Sequence, residues 1–209
     1  MKLSKLVFFP PPAMAVRRTI TEYDGVYFIT ITCCRWLHLF EEGHAYDSVY
    51  KWFDHLKSKG HLISGYVIMP NHLHALIAFR NTQGESINKI IGNGKRFMAY
   101  DIVSRLEQLN KTNILNQLSG FVNRTDSLRS KKHEIFEPSF DWKECRTDDF
   151  IKQKLDYIHA NPCNGKWTLS DDLWNYPYSS AKYYLKGEQG RYPVFDYGNL
   201  KDTDLKKAI

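Results

Sequence analysis

The chain has 209 residues, of which 43% are hydrophobic, 14% aromatic and 25% charged; this describes one folded domain with appendages and excludes a largely disordered chain. An excess of 29 Lys and Arg over 23 Asp and Glu gives a net charge of +6 and favours polyanionic partners, nucleic acid first among them. No apolar stretch approaches the roughly 20 residues that a bilayer span requires, so a soluble protein is expected. Cys33, Cys34, Cys145 and Cys163 contain no Cys-x-x-Cys spacing, which excludes a zinc finger or thioredoxin-like centre and suits reduced thiols in a cytoplasmic setting.

Residues 1–16 open with Lys2 and Lys5, and their apolar stretch Leu6–Phe9 is cut by Pro10, Pro11 and Pro12 before it reaches the length of a signal-peptide core. They are expected to form an N-terminal arm. Gly25 then introduces Val26–Cys33, a run of β-branched and aromatic residues that predicts a buried strand. From Ala45 to Lys59 the apolar residues Val49, Trp52, Phe53 and Leu56 recur at helical spacing, and Gly60 marks the stop. The strand His61–Met69 follows, Met69-Pro70-Asn71 turns the chain, and His72–Phe79 returns antiparallel.

His72 and His74 open that returning strand. Residues two apart in a strand project from one face, so both imidazoles point at a place where a metal ion could bind. A His-x-His pair is also expected by chance in about one of four sequences with this many histidines, and then it means half-buried imidazoles hydrogen-bonded within a sheet. Both readings stay open on the pair alone.

Ser86 caps a predicted helix that runs to about Leu109, with Gly92 and Gly94 weakening its middle and Lys95 and Arg96 on its face. Gly92-Asn93-Gly94-Lys95 lacks the full glycine spacing and the following Ser or Thr of a phosphate loop, which excludes an NTPase on this motif. Residues 110–132 are polar and basic and read as an insertion or a mobile segment. A fourth strand falls within Glu134–Arg146, and Thr147, followed by Asp148 and Asp149, caps a helix that Pro162 stops after Asn161. The order β-α-β-β-α-β predicts an α+β, ferredoxin-like antiparallel sheet with helices packed on one face.

On the last of these helices Ile151, Leu155 and Ile158 form the apolar stripe that packs on the sheet, and Phe150, Lys154, Tyr157 and Asn161 form an adjoining stripe. His159 lies about 200° round the helix from Tyr157 and is left out of any shared site. Trp142, Trp174 and Tyr176 read as packing residues, and Cys33-Cys34 as reduced strand residues.

Pro70-Asn71-His72-Leu73-His74, with Asp156-Tyr157-Ile158-His159-Ala160-Asn161-Pro162 far downstream, resembles the REP-associated tyrosine transposases, members of the HUH-type single-tyrosine transposases. The resemblance extends to Tyr27-Phe28-Ile29-Thr30, to Trp142–Arg146 and to Trp174-Asn175-Tyr176-Pro177-Tyr178-Ser179-Ser180-Ala181, and covers roughly residues 17–185, with 186–209 as a C-terminal tail. It implies a metal-dependent endonuclease and strand transferase that cleaves single-stranded DNA beside hairpins of repeated palindromes through a 5′-phosphotyrosine intermediate. Tyr157 would be the nucleophile, and His72, His74 and Asn161 would hold a divalent metal ion, Mg²⁺ or Mn²⁺. Arg17, Arg18, Lys95, Arg96, Arg146 and Lys154 are the candidate DNA contacts. The protein would act as a monomer or a homodimer. A non-catalytic DNA-hairpin-binding protein of the same fold is the alternative, and a phosphodiesterase using activated water is a third reading.

Overall fold

Four antiparallel strands, β1 (Gly25–Thr32), β2 (Leu62–Met69), β3 (His72–Phe79) and β4 (Asp141–Glu144), form one sheet in the order β2-β3-β1-β4 in a computed structural model that describes residues 19–82, 84–164 and 168–207. The helices are α1 (Leu39–Glu42), α2 (Tyr46–Ser58), α3 (Ile87–Gln108), α4 (Thr112–Gly120), α5 (Arg124–Ser127), α6 (Asp148–Ala160) and α7 (Ala181–Lys186). With α2 between β1 and β2 and α3 between β3 and β4, the strand order is that of the expected ferredoxin-like frame. No helix among the described residues is long and apolar enough to cross a membrane.

Every residue of β3 is buried, because helices cover both faces of the sheet. Its alternation divides the protein in two. Leu73, Ala75, Ile77 and Phe79 join Trp52, Phe53 and Leu56 of α2 and Ile91, Met98 and Ile102 of α3 in the larger core. Leu76 and Ala78 face the other way, onto Ile151, Leu155 and Ile158 of α6. The expectation that helices pack on one face holds for α2 and α3 and is corrected for α6. The first face is already filled by those two helices, so the apolar stripe of α6 is buried on the second, against Phe28, Val67 and Met69.

Residues 110–132 carry α4 and α5, and Leu118 of α4 is fully buried in the larger core. The fourth strand is shorter than 134–146: Phe136 makes an isolated bridge to Cys33, Pro138 interrupts, and only Asp141–Glu144 pairs with β1. Residues 187–207 fold back onto the domain, burying Tyr192, Val194 and Leu200. The edge of β2 receives this part of the chain: Ile68 N–H donates to Tyr178 O (2.9 Å), Ser180 N–H to Tyr66 O (3.0 Å) and Phe195 N–H to Ile63 O (2.8 Å).

The two glycines of α3 behave differently. A Cβ at Gly92 meets nothing, whereas a Cβ at Gly94 would overlap the indole of Trp52, where α2 crosses close to the α3 backbone. Gly92→Ala is therefore expected to stabilise by about 0.5–1 kcal/mol through helix propensity. Gly94→Ala should destabilise, since overpacking against a rigid indole costs about 1–3 kcal/mol and exceeds the same propensity gain. Thermal unfolding of the two variants should move in opposite directions; a Gly94→Ala protein as stable as Gly92→Ala would refute the close approach.

Candidate active site

His72 and His74 lie on the sheet face that α6 covers. Register places His74 between Thr30 of β1 and Val67 of β2, and His72 between Thr32 and Met69. Both imidazoles are buried, with ring centroids 4.7 Å apart. Each has its Nδ1 engaged: Thr30 Oγ1 lies 2.8 Å from His74 Nδ1, and Asn71 Oδ1 lies 2.7 Å from His72 Nδ1. The Asn71 amide is oriented by its other end, since Nδ2 donates to Trp36 O (3.2 Å). Its oxygen therefore faces His72, so His72 Nδ1 carries the proton and Nε2 the lone pair.

Burial pushes the His72 pKa down to about 4, with the hydrogen bond that its protonated ring would donate to the Asn161 side chain acting in the opposite sense. Burial also holds His74 well below its ordinary value, aided by the Lys154 ammonium and by repulsion from His72 whenever that ring is protonated. Both rings are neutral at pH 7, the state in which imidazole binds a metal.

The helix opposite begins where Thr147 Oγ1 accepts Phe150 N–H (3.3 Å), with Asp148 and Asp149 in its first turn. Leu155 packs over Gly65, at the irregularity between Ile63 and Gly65 in β2. A Cβ at Gly65 would overlap the Leu155 side chain, so the glycine sets how closely α6 sits on the sheet. That docking brings the Tyr157 ring to 5.2 Å from His74 and 5.8 Å from Phe28, while the residue remains 51% exposed. Asn161 keeps helical backbone angles (φ −53°, ψ −46°), so its side chain stays on the Tyr157 side one turn later and reaches His72. Lys154, one turn earlier, holds its ammonium over Phe150 (4.9 Å), Phe28 (5.2 Å) and Tyr157 (6.0 Å).

Of the residues singled out in the sequence, His72, His74, Tyr157, Asn161 and Lys154 come together here. Lys95 serves the fold: its ammonium donates to the carbonyls of Glu137 (2.6 Å), Pro138 (3.3 Å) and Ser139 (3.1 Å). Arg96 is exposed on α3, across the sheet from the histidines, and donates to Asn93 Oδ1 (3.1 Å). Arg146 is exposed and pairs with Glu144 (2.8 Å). Arg17 and Arg18 lie outside the described residues. His159 is buried away from the site, 3.0 Å from Ser180 Oγ. Trp142 packs edge-on to Tyr27, and the buried Tyr176 donates its hydroxyl to Ile68 O (2.9 Å).

Thr30, Asn71 and Trp36 belong to the site without having been assigned a part in it. Thr30 is 44 residues from His74 in sequence, and only the β1–β3 register joins them. Two Nε2 atoms and one carboxamide make a donor set suited to a divalent cation that keeps open positions for phosphate and water. No group of three or more His, Cys, Asp and Glu residues that could form a denser metal cage occurs among the described residues.

Neither protein-family models nor curated protein sequences match the chain. Among solved structures, a REP-associated tyrosine transposase bound to a REP hairpin aligns with a TM-score of 0.53 at 16% identity, covering 94% of this chain and 99% of its own. A candidate transposase from Deinococcus radiodurans aligns over 68% of this chain and 95% of its own at 14% identity and a TM-score of 0.41. The chain shares the overall fold of a REP-associated tyrosine transposase.

Proposed function

We propose that this protein is a metal-dependent, single-tyrosine endonuclease and strand transferase acting on single-stranded DNA beside hairpins. The observation that carries the reading is the exposed Tyr157 ring held 5.2 Å from His74, beside a buried His72 in contact with Asn161. Two distant motifs of the sequence, one on a strand and one on a helix, thus meet at one place. The fold shared with a transposase that binds a REP hairpin supports hairpin DNA as the substrate class.

His72 and His74, through Nε2, and Asn161, through its amide oxygen, would hold Mg²⁺ or Mn²⁺. Bound there, the ion supplies Lewis-acid neutralisation of charge on the scissile phosphate and the departing 3′ oxygen. Thr30 and Asn71 keep the two imidazoles oriented with Nε2 outward. Tyr157 attacks phosphorus; its oxygen bonds to the phosphate as the P–O3′ bond breaks, and the phenolic proton reaches the released 3′ oxygen by way of solvent. The Lys154 ammonium, fixed among three rings beside Tyr157, attracts the incoming phosphate and favours the negative charge that builds on it during attack. The phosphodiester bond energy is kept in the 5′-phosphotyrosine, so rejoining to a 3′ hydroxyl requires no ATP.

The reading is tested by incubating end-labelled hairpin oligonucleotides from the gene's flanks with protein and Mg²⁺ or Mn²⁺, and scoring protein-linked DNA on a denaturing gel. Metal binding is tested apart from activity. In Mn²⁺ titration calorimetry, His72→Ala and His74→Ala are each expected to weaken affinity by at least about tenfold, or about 1.4 kcal/mol. Unchanged Mn²⁺ binding in both variants would refute the ligand set.

A further inference from the structure

The loop that follows β1 carries a large side chain at the edge of this site for which the chemistry above has no use. Trp36 is 58% exposed, and its ring stands edge-on to His72 at 5.6 Å. Arg35 and Trp36 both have left-handed backbone angles (φ 52° and 58°), two consecutive residues in a region that side chains with a Cβ seldom adopt. Such conformations persist where the surroundings over-determine them, and they concentrate at functional sites.

The surroundings here do so. Cys34 N–H donates to Ile135 O (2.8 Å), Arg35 N–H to Glu137 Oε1 (2.9 Å) and Trp36 N–H to Cys33 O (3.0 Å). Glu137 is held in turn by Lys95, and the Arg35 guanidinium is drawn aside over the Phe121 ring (5.6 Å). Asn71 accepts from His72 with one end of its amide and donates to Trp36 O with the other. A single side chain therefore ties the Trp36 backbone to His72.

We propose that Trp36 is a stacking platform for a nucleobase next to the cleaved bond. The inference rests on the single-stranded DNA reading above and names a contact within it. A rigid, exposed indole offers an apolar face of the size of a base, and stacking accepts any base because each has a π-face. Trp36, His72, His74 and Tyr157 form a continuous series of ring contacts, so a base on the indole belongs to a nucleotide close to the phosphate that Tyr157 attacks.

The test uses full-length protein carrying Tyr157→Phe, so that binding is read without chemistry, and single-stranded hairpin oligonucleotides in which 2-aminopurine replaces each flanking base in turn. Stacking quenches this fluorophore. Quenching is expected at one position or two adjacent ones; adding Trp36→Ala should restore the signal there alone and weaken binding by roughly 5- to 100-fold, whereas Trp36→Phe should retain most of both. Mn²⁺ binding without DNA should be unchanged in Trp36→Ala. An unaltered quenching pattern overturns the inference, as does a loss of Mn²⁺ affinity in parallel, which would make Trp36 a support for His72. Protein-linked product is scored separately with Tyr157 intact on the same oligonucleotides: product with no Trp36-dependent quenching overturns the platform alone, and quenching without product overturns the tyrosine chemistry alone. Absence of binding to any of the oligonucleotides overturns both.

Discussion

Tyr157→Phe is expected to eliminate protein-linked DNA, lowering cleavage by at least about 10⁴-fold, because the variant removes the atom that bonds to phosphorus in the proposed reaction. Fold and hairpin affinity should survive. The residue is 51% exposed, and the phenylalanine ring retains the contacts with His74 and Phe28, so stability should change by no more than about 0.5 kcal/mol. Lys154→Ala is a graded companion that should slow adduct formation by about 10- to 100-fold without abolishing it. Cleavage that persists in Tyr157→Phe would replace the tyrosine with activated water. Hairpin binding with no cleavage by either protein would leave a DNA-binding module on this fold.

A second large effect concerns acid. Burial lowers the pKa values of His61, His72 and His159 to about 4 each, and depresses His74 as well. All four imidazoles are neutral in the folded protein, while the unfolded chain takes up protons as pH falls below the ordinary value near 6.5. Between 6.5 and 4 the unfolded state binds more protons, so stability is fully present above pH 6.5 and declines as pH falls through that window. A shift of this size costs up to about 3 kcal/mol per histidine. With several such rings, protonation of the unfolded chain opposes a large part of the stability of a typical domain. Urea midpoints measured in EDTA should drop steeply from pH 7 to pH 5, and Mn²⁺ should move the drop to lower pH. His159→Gln should make the dependence on pH shallower by one proton. A flat profile between pH 6.5 and 5 would contradict the buried neutral state of these rings.

The elements that carry strong periodicity were legible in the sequence. β1, α2, the β2–β3 hairpin and the cap of α6 at Thr147 fall close to where alternation, helical spacing and capping chemistry place them. The pairing of His72 with His74 on β3 and of Tyr157 with Asn161 on α6 was legible from periods of 2 and 3.6, and it was the family resemblance that put the two pairs at one site. The side of the sheet taken by α6 was not legible: Ile151, Leu155 and Ile158 would pack equally well on either apolar face, and occupancy of the first by α2 and α3 decides it. Thr30 escaped notice because its hydrogen bond to His74 depends on cross-strand register. Lys95 looked like a free cation for DNA, since nothing local foretells that three carbonyls of residues 137–139 would converge on it. Trp36 gave no signal because a left-handed backbone at a non-glycine residue is imposed by its surroundings.

The hydrogen bonds that residues 178–195 make to β2 also bear on how the sheet avoids pairing with a second copy. The opposite margin of the sheet, β4, is four residues long and carries Asp141, Lys143 and Glu144, which discourage another strand from adding to it. β2 is longer and almost wholly apolar, and it has no such charges. Its protection is the returning chain itself, so removing the residues after Ser179 would uncover an adhesive border along Ile63–Tyr66. The last thirty or so residues therefore act as a built-in guard against self-association, at the far side of the molecule from β4.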